Sequence, residues 1–414
     1  MKKILSFTLA ILMILSVICV FPAYAEESSA TLSSGDYEYK LLSDGTVAIT
    51  RYTGNDDKII VISEIEGHPV TQIDYKAFFA NDATELMLPD TLTYIDNYAF
   101  QVMRNLKSIT IPDGVTYIGQ GAFEHCKSLE QIALPDTVEH IGHSAFSSTA
   151  YYNNPDNWDK GILYIDTCLI DSKKDLSGVC KIKDDTTLIA ELAMCNLTDV
   201  TEFILPKSLK YICISSFNGC KNIKSINIPE SVVSIEEYAF AYCSSLENIN
   251  IPQSITNLGL SIVEDTAFFN NSDNWENDVL YINNALVSVK EEINGEYIIK
   301  DGTYIIADGT FSGCSSLKSV IMPDSVRVLG NTVFGWCFDL EKIILSESIT
   351  AIPDDTFNNC TSLNQLVIPE SITAIGEQAF FDCWSLSKIT IPDSVTTIDN
   401  FAFFDIKNNI FWDL

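Results

Sequence analysis

A period of 23 residues runs through most of this 414-residue chain and limits the folds open to it. Prolines and phenylalanines recur at this step, or at twice this step, within three groups. The prolines are Pro89, Pro112 and Pro135, then Pro206, Pro229 and Pro252, then Pro323, Pro369 and Pro392. The phenylalanines are Phe100, Phe123 and Phe146, then Phe217 and Phe240, then Phe311, Phe334, Phe357, Phe380 and Phe403. Such a period is typical of a solenoid, in which each coil packs only against its neighbours.

The residues of one repeat predict how a coil is built. A representative repeat reads Leu363-x-x-Leu366-x-Ile368-Pro369, then Ile372-x-x-Ile375-Gly376-x-x-Ala379-Phe380-x-x-Cys383. Alternating apolar and polar residues before the proline predict a short strand with one buried face. Proline ends this strand because it lacks the N–H that a ladder needs. The phenylalanine that follows is expected inside the coil.

We therefore predict a β-rich solenoid with an N-terminal β cap and two β-hairpin inserts. Its repeat resembles bacterial leucine-rich repeats, and this resemblance implies a right-handed, curved leucine-rich-repeat solenoid. Ten strand-and-turn units are visible and three more coils are expected within the inserts, giving a body roughly 60 Å long. The predicted domains are a signal peptide (1–25), the cap (26–70) and the solenoid (71–414), with inserts at about 150–186 and 267–303. A longer period of 117 residues relates Trp158 in the first insert to Trp275 in the second.

Charge and the first residues indicate where the protein works. Lys and Arg total 25 against 56 Asp and Glu, a formal charge of −31, which argues against nucleic-acid binding. Lys2 and Lys3 precede an apolar run, and Ala23-Tyr24-Ala25 gives a small-x-small cleavage site. We expect a protein that is secreted or displayed at the cell surface, with no transmembrane segment after cleavage.

The repeat resembles the BspA-type, or treponemal-type, bacterial leucine-rich repeat. The likeness is carried by Leu-x-x-Ile-x-Ile-Pro, by Val-x-x-Ile-Gly-x-x-Ala-Phe and by the Cys or Asn that follows, over about residues 36–405. Met194 and Val263 replace the aromatic ring, and Ser346 stands where a proline is due. The resemblance implies an exported surface protein linked to adhesion and protein recognition, and it supplies no shared catalytic residues. Fold likeness alone does not establish function.

The cysteines and histidines are candidate metal ligands, and the cysteines are also candidates for disulfide bonds. Seven cysteines share one repeat position and are expected to be a buried ladder of small apolar groups: Cys126, Cys220, Cys243, Cys314, Cys337, Cys360 and Cys383. Cys168 and Cys180 could face each other across the first insert, so a disulfide there is left open. His125, His140 and His143 lack a recognised ligand spacing and are expected to be solvated loop residues. No metal site and no cofactor are predicted.

Outward strand positions form the predicted binding surface. Ile321, Ile344 and Val367 lie on consecutive coils, so three exposed β-branched side chains would touch along the sheet. Lys342 and Lys388 flank them. Ordinary β propensity explains such residues equally well; the functional interpretation is a docking patch for a protein partner.

A second interpretation is binding of a glycan. Tyr94 and Tyr117, with His140, precede the buried isoleucine of successive coils and could stack on sugars, although packing between coils is the commoner explanation. Trp158 and Trp275 of the inserts are the other candidates.

An acidic residue follows most repeat prolines, and whether this stripe binds calcium is left open. No nucleophile elbow, phosphate loop or zinc-protease helix occurs, so no enzymatic activity is expected. The predicted partner is an extracellular protein, of a host matrix or a cell surface, or a polysaccharide; a structural role in the cell envelope remains an alternative.

Overall fold

The computed structural model describes residues 32–290, 293–387, 389–406 and 410–412. The predicted signal peptide, Glu291 and Glu292 of the second insert, and Lys388 of the predicted binding surface lie outside these residues. The chain forms a β-solenoid with turns of about 23 residues, as the period predicted. It has about 15 turns, more than the thirteen coils expected from the sequence. Among the described residues, no helix has the length and apolar character needed to cross a membrane.

The N-terminal strands begin antiparallel and then join the parallel stack. They are β1 (Leu32–Ser34), β2 (Tyr37–Leu41), β3 (Val47–Tyr52), β4 (Lys58–Ile60), β5 (Glu64–Ile65) and β6 (His68–Ile73). β1, β2 and β3 pair antiparallel, whereas β3 pairs with β6 in parallel. The Tyr52 ring stacks on Phe78 at 5.3 Å between centroids, so this sheet covers the first ring of the core.

Each coil contributes two short parallel strands on different sides. The first set, which we call the ladder strands, ends in the buried isoleucine or leucine of each repeat. They are β8 (Tyr94–Ile95), β10 (Tyr117–Ile118), β12 (His140–Ile141), β17 (Leu188–Ile189), β19 (Tyr211–Ile212), β21 (Ser234–Ile235), β23 (Asn257–Leu258), β28 (Ile305–Ile306), β30 (Val328–Leu329), β32 (Ala351–Ile352), β33 (Ala374–Ile375) and β35 (Thr397–Ile398).

The second set, which we call the face strands, comes from the segment before each proline. They are β7 (Glu85–Met87), β9 (Ser108–Thr110), β11 (Gln131–Ala133), β16 (Ser177–Lys181), β18 (Asp199–Ile204), β20 (Ser225–Ile226), β22 (Asn248–Ile249), β27 (Gly295–Ile298), β29 (Leu317–Ile321), β31 (Lys342–Ile344), β34 (Ile389–Ile391) and β36 (Ile410–Trp412). Their side chains alternate between the core and solvent, as in the exposed–buried–exposed pattern of β31.

Two segments depart from the coil pattern. The first contains a helix (Ala150–Asn153), a 3-10 turn (Pro155–Asn157), β13 (Trp158–Asp159), β14 (Ile162–Ile165) and β15 (Cys168–Ser172). The second contains a helix (Ala267–Asn270), a 3-10 turn (Ser272–Asn274), β24 (Trp275–Glu276), β25 (Val279–Ile282) and β26 (Ala285–Val289). In each, the last two strands form an antiparallel hairpin.

The cysteines of the first segment do not face each other across a hairpin. β15, which carries Cys168, pairs with β14 and β17, whereas β16, which carries Cys180, pairs with β18 in another sheet. The hairpin reverses at Asp166 and Thr167, because Ile165 pairs with Cys168. The polar run at 172–175 instead leads the chain from β15 into β16. Both thiols are free and buried.

Stacked rings fill the centre of the coils. Consecutive repeat phenylalanines lie 5.1 to 5.6 Å apart, for example 5.6 Å between Phe334 and Phe357 with ring planes 5° apart. Met194 and Val263 occupy the ring position in two coils and are 0 % and 2 % exposed. Most of the repeat phenylalanines donate their backbone N–H to a carbonyl of the next coil, as in Phe334 to Thr356 at 2.9 Å. Ser346 is buried, and its hydroxyl donates to the carbonyl of Val326 at 2.6 Å.

The predicted cysteine ladder is buried, and its thiols are hydrogen-bonded between coils. Cys337 donates to the carbonyl of Phe311 and Cys360 to that of Phe334, each at 3.1 Å. Burial raises the pKa of Cys126 to about 12 and of Cys383 to about 12, so these thiols stay protonated and unreactive.

Native thiol reactivity should be confined to one position. The described residues include eleven cysteines. Cys195 is half-exposed, and the other ten are buried. Iodoacetamide should therefore label one thiol rapidly in the native protein, and mass spectrometry should place it at Cys195. Cys195→Ser should abolish that label while denaturation exposes ten thiols. Rapid native labelling of several ladder cysteines would contradict the packing described.

Every coil also contains left-handed backbone. Positive φ recurs at two positions of the coil. One lies three residues after the ladder isoleucine, as at Ser144 with φ of 59°, and the other lies two residues after the phenylalanine. An L-residue in this conformation costs about 1 to 2 kcal/mol relative to a right-handed one. The closed coil therefore imposes this conformation on residues other than glycine.

Glycine at such a position should stabilise the protein. Ser144 is exposed, so Ser144→Gly removes backbone strain and little contact. We expect a gain of about 0.5 to 1 kcal/mol. Ser108, exposed on the face strand β9, is the matched control, and Ser108→Gly should lower the melting temperature. Equal losses from the two variants would contradict the prediction.

Candidate binding surface

Three of the predicted surface residues lie side by side, as their spacing required. Ile321 pairs with Ile344, and Ser319 with Lys342, in the β29–β31 register. A bridge between Lys342 and Gln365 continues the sheet to the next coil. Ile344 is 43 % and Val367 81 % exposed, while Ile321 is half-buried. Lys342 is exposed beside them.

A fourth residue extends this row and was not predicted from the sequence. Ile298 of β27 pairs with Ile321 and is 61 % exposed. Ile298 lies 23 residues before Ile321, so the repeat spacing relates it to the other three. Its strand nevertheless falls within the predicted second insert, where Lys300 stands in place of the repeat proline. We call Ile298, Ile321, Ile344 and Val367 the apolar column. At about 4.8 Å between strands, it extends about 15 Å along the face.

The longer period shows that this column is not a requirement of the fold. The positions 117 residues before the column are Lys181, Ile204, Asn227 and Asn250. Asn250 accepts from the Ile228 N–H at 2.8 Å and donates to the Ile228 carbonyl at 2.9 Å. We call each 117-residue unit of the long period a block. The same strand positions therefore accept polar residues in one block and carry four consecutive apolar residues in the next.

A smaller apolar pair lies at the other end of the face. Ile60 of β4 pairs with Met87 of β7, and they are 68 % and 62 % exposed. Lys58 and Glu85, in the same strands, form an exposed ion pair at 2.7 Å. Two side chains give a much smaller surface than the apolar column.

The rings proposed for sugar stacking cover each other. Tyr94 lies 4.5 Å from Tyr117 with planes 7° apart, and Tyr117 lies 4.5 Å from His140 with planes 5° apart. The faces between these rings are occupied, which leaves their edges toward solvent. Burial raises the pKa of Tyr117 above its usual range, with the Tyr94 hydroxyl nearby as a further cause.

The two tryptophans anchor the short helices of the inserts. Trp158 Nε1 donates to the carbonyl of Tyr152 at 2.8 Å, and Trp275 Nε1 donates to that of Phe269 at 2.6 Å. Lys173 lies over the Trp158 ring at 5.5 Å, and Lys290 lies over the Trp275 ring at 5.1 Å. Each indole is half-buried and has an internal cation over one face.

The acidic residues after the repeat prolines lie on an exposed edge. Asp90, Asp113 and Asp136 are exposed, as is Asp324, whose carboxylate accepts from the Glu347 N–H at 3.1 Å. The carboxylate thus provides a hydrogen-bond acceptor for a backbone N–H of the neighbouring turn. Whether the stripe also binds calcium stays open.

Among the described residues, the sheet of ladder strands is interrupted after β12, after β23 and after β30. The first two interruptions lie at the inserts, and we call them the joints. At the first joint the sheet stops at β12, and the Glu191 N–H donates to the Ile141 carbonyl at 2.9 Å. At the second joint it stops at β23, and the Asp308 N–H donates to the Leu258 carbonyl at 2.9 Å. Because 141 and 258, like 191 and 308, differ by 117, the joints are equivalent positions of the long repeat.

The histidines at the first joint are not all solvated, contrary to the sequence expectation. His140 is 7 % exposed, and its Nδ1 lies 2.9 Å from the Glu236 carboxylate. His143 Nδ1 lies 3.1 Å from Glu191, whose hydrogen bond raises the pKa of His143. His125 is exposed, as expected. The sequence could not predict the His140–Glu236 contact, because these residues are 96 positions apart.

Asp308 makes stability at the second joint depend on pH. Burial raises the pKa of Asp308 from 3.8 to about 7, although its carboxylate accepts a hydrogen bond from the Asn331 N–H at 2.7 Å, which lowers the pKa. The nearby charge of Glu237 acts in the same direction as burial. The folded state therefore holds this proton more tightly than the unfolded chain does. The stability that it contributes is present below pH 3.8 and is lost as the pH rises through about 7.

Asp308→Asn should remove this penalty, because the amide oxygen can accept the same hydrogen bond without a charge. We expect a gain of about 1 to 3 kcal/mol near pH 8 that shrinks toward pH 4. Melting temperatures measured across this range would test it. A variant less stable than the parent at pH 8, or a difference that does not change with pH, would contradict the assignment.

The comparisons with known proteins agree on a repeat family. The BspA-type leucine-rich repeat region matches in six copies, over residues 63–166, 174–288 and 290–410. A leucine-rich cell surface protein from Faecalibacterium prausnitzii is 28 % identical, with 94 % of this chain and 96 % of that chain covered and a TM-score of 0.35. A leucine-rich repeat protein from Bacteroides ovatus is 22 % identical, with 92 % and 99 % covered and a TM-score of 0.30. The pneumococcal vaccine antigen PcpA is 15 % identical, with 93 % and 87 % covered and a TM-score of 0.30. No curated protein matches.

Proposed function

The chain belongs to the BspA-type leucine-rich repeat family, and from this premise we propose that it is an exported, non-enzymatic recognition protein that binds a protein partner. The apolar column is the proposed contact surface. Export is supported by the signal-like residues 1–25, and recognition by the extended surface that a solenoid offers without a catalytic pocket.

The observation that carries this proposal is the run of four apolar side chains on consecutive coils, of which three are exposed and Ile321 is half-buried. Scattered exposed apolar residues are ordinary, whereas a contiguous patch is a feature of interaction sites. The equivalent positions Asn227 and Asn250 are polar, so β-sheet formation does not require apolar residues there. Lys342 places a cation beside the column in a strongly acidic protein, which suits a partner surface that combines apolar and acidic groups.

Binding should be tested with residues 26–414 on one array of extracellular-matrix proteins and polysaccharides, at low and at physiological salt. Screening at physiological salt removes non-specific attraction of basic proteins to the acidic surface. We expect a protein ligand that persists at physiological salt. Ile344→Asp should weaken it at least tenfold, about 1.4 kcal/mol, because a carboxylate would be buried in an apolar contact.

Asn227→Asp supplies the matched control. Asn227 holds the position of Ile344 in the preceding block and is exposed, so this variant adds the same charge outside the column. It should leave binding unchanged, and neither variant should shift the melting temperature appreciably. Undiminished binding by Ile344→Asp would remove the column from consideration.

Glycan binding is the competing outcome of the same array. Binding confined to polysaccharides, unaffected by Ile344→Asp and lost in Trp275→Ala, would replace the protein-binding proposal. A blank array would favour a structural role in the cell envelope instead.

A further inference from the structure

The first joint brings together three side chains that bind metals in proteins. His140 begins β12, while Cys213 and Glu236 each follow the buried isoleucine of a ladder strand, β19 and β21. One ligand atom from each of the three lies within 4.8 Å of the other two. Cys213 is fully buried, His140 is 7 % exposed, and the Glu236 side chain is 16 % exposed.

We propose that His140, Cys213 and Glu236 form a Zn²⁺ site. Imidazole nitrogen, thiolate sulfur and carboxylate oxygen are the ligands that zinc takes in proteins, at about 2.0 to 2.3 Å. Those bond lengths place tetrahedral ligands about 3.3 to 3.8 Å from one another. The three ligand atoms lie within 4.8 Å of one another, and His140 Nδ1 lies 2.9 Å from the Glu236 carboxylate, so side-chain movements of about 1 Å would bring them to this spacing.

Neighbouring groups already hold the ligands in place. The Glu236 carboxylate accepts from the Ile214 N–H at 2.9 Å, which fixes its direction. The His140 ring stacks on Tyr117. Such outer contacts orient the ligands of metal sites. On binding, the Cys213 thiol would lose its proton to solvent and form the zinc–sulfur bond as thiolate.

A cleft adjoins the site and leaves room for a fourth ligand. It has a volume of about 310 Å³ and is lined by residues that include Tyr117, Glu139, His140, Tyr211 and Glu236. Tyr211 donates to the Glu139 carboxylate at 3.0 Å across it. Three protein ligands with an open fourth position are the arrangement of zinc sites that bind water or an external ligand.

The second joint shows that the fold does not require these three residues. The positions 117 residues after His140, Cys213 and Glu236 are Asn257, Gly330 and Pro353. The second joint keeps the same backbone contact and its own cleft, lined by these three residues among others. Closing a joint therefore needs neither a thiol nor an imidazole nor a carboxylate at these places. Their convergence at the first joint calls for another explanation, which a metal supplies.

Cobalt is the probe for the test, because a thiolate bound to Co²⁺ gives a near-ultraviolet charge-transfer band. Residues 26–414, freed of metal by a chelator and kept reduced, should take up one Co²⁺ per chain with this band. One equivalent of Zn²⁺ should displace it and raise the melting temperature. His140→Asn, which installs the residue of the second joint, and Cys213→Ala should each weaken binding at least tenfold.

Cys195→Ser is the control, because it removes the half-exposed thiol and should leave the band unchanged. Circular dichroism and melting in the absence of metal check that each variant folds. The proposal is overturned if the parent shows no charge-transfer band, if cobalt binds without one at surface carboxylates, or if the band survives in both His140→Asn and Cys213→Ala.

Discussion

Contact between successive coils is the interaction on which the rest of this structure depends. A single coil has apolar groups above and below it, and only its neighbours can cover them. The phenylalanine rings stack at little more than 5 Å, and the backbone around them donates hydrogen bonds to the next coil at the same step. The cysteine thiols also donate hydrogen bonds to backbone carbonyls of the neighbouring coil. Positive φ angles outside glycine persist because these contacts fix the path of the chain.

The period predicted those features that every coil repeats. Burial of Phe334, pairing of Ile321 with Ile344, and the cysteine ladder all follow from residues separated by one coil. The predictions that failed concern breaks in the period. Ile298 was missed because its strand lies in a segment without the repeat motif, and the apolar column is longer by one residue as a result. His140 was assigned to solvent because no local pattern relates residue 140 to residue 236.

Comparison of the blocks separates what folding needs from what it does not. Positions that serve the core carry the same kinds of residue in each block, as the phenylalanines show. Outward strand positions and the two joints carry different residues at equivalent places: Asn227 against Ile344, and Asn257 against His140. Because equivalent positions share the same backbone geometry, the residue in one block shows what the fold accepts at the corresponding position of another. Both the apolar column and the His–Cys–Glu cluster are identified by this comparison.

The joints also determine how the molecule carries mechanical load. Within a block, a pull along the solenoid axis is opposed by the stacked rings, by the thiol hydrogen bonds of the coils that carry cysteine, and by pairing between parallel strands. At a joint the sheet of ladder strands ends, and a side chain pair such as His140 and Glu236 links strands that share no ladder. A joint therefore resists tension through apolar packing and individual hydrogen bonds, without a strand ladder across it among the described residues. Each coil that peels away under tension releases about 23 residues, or about 80 Å of extended chain, so the protein yields in discrete steps.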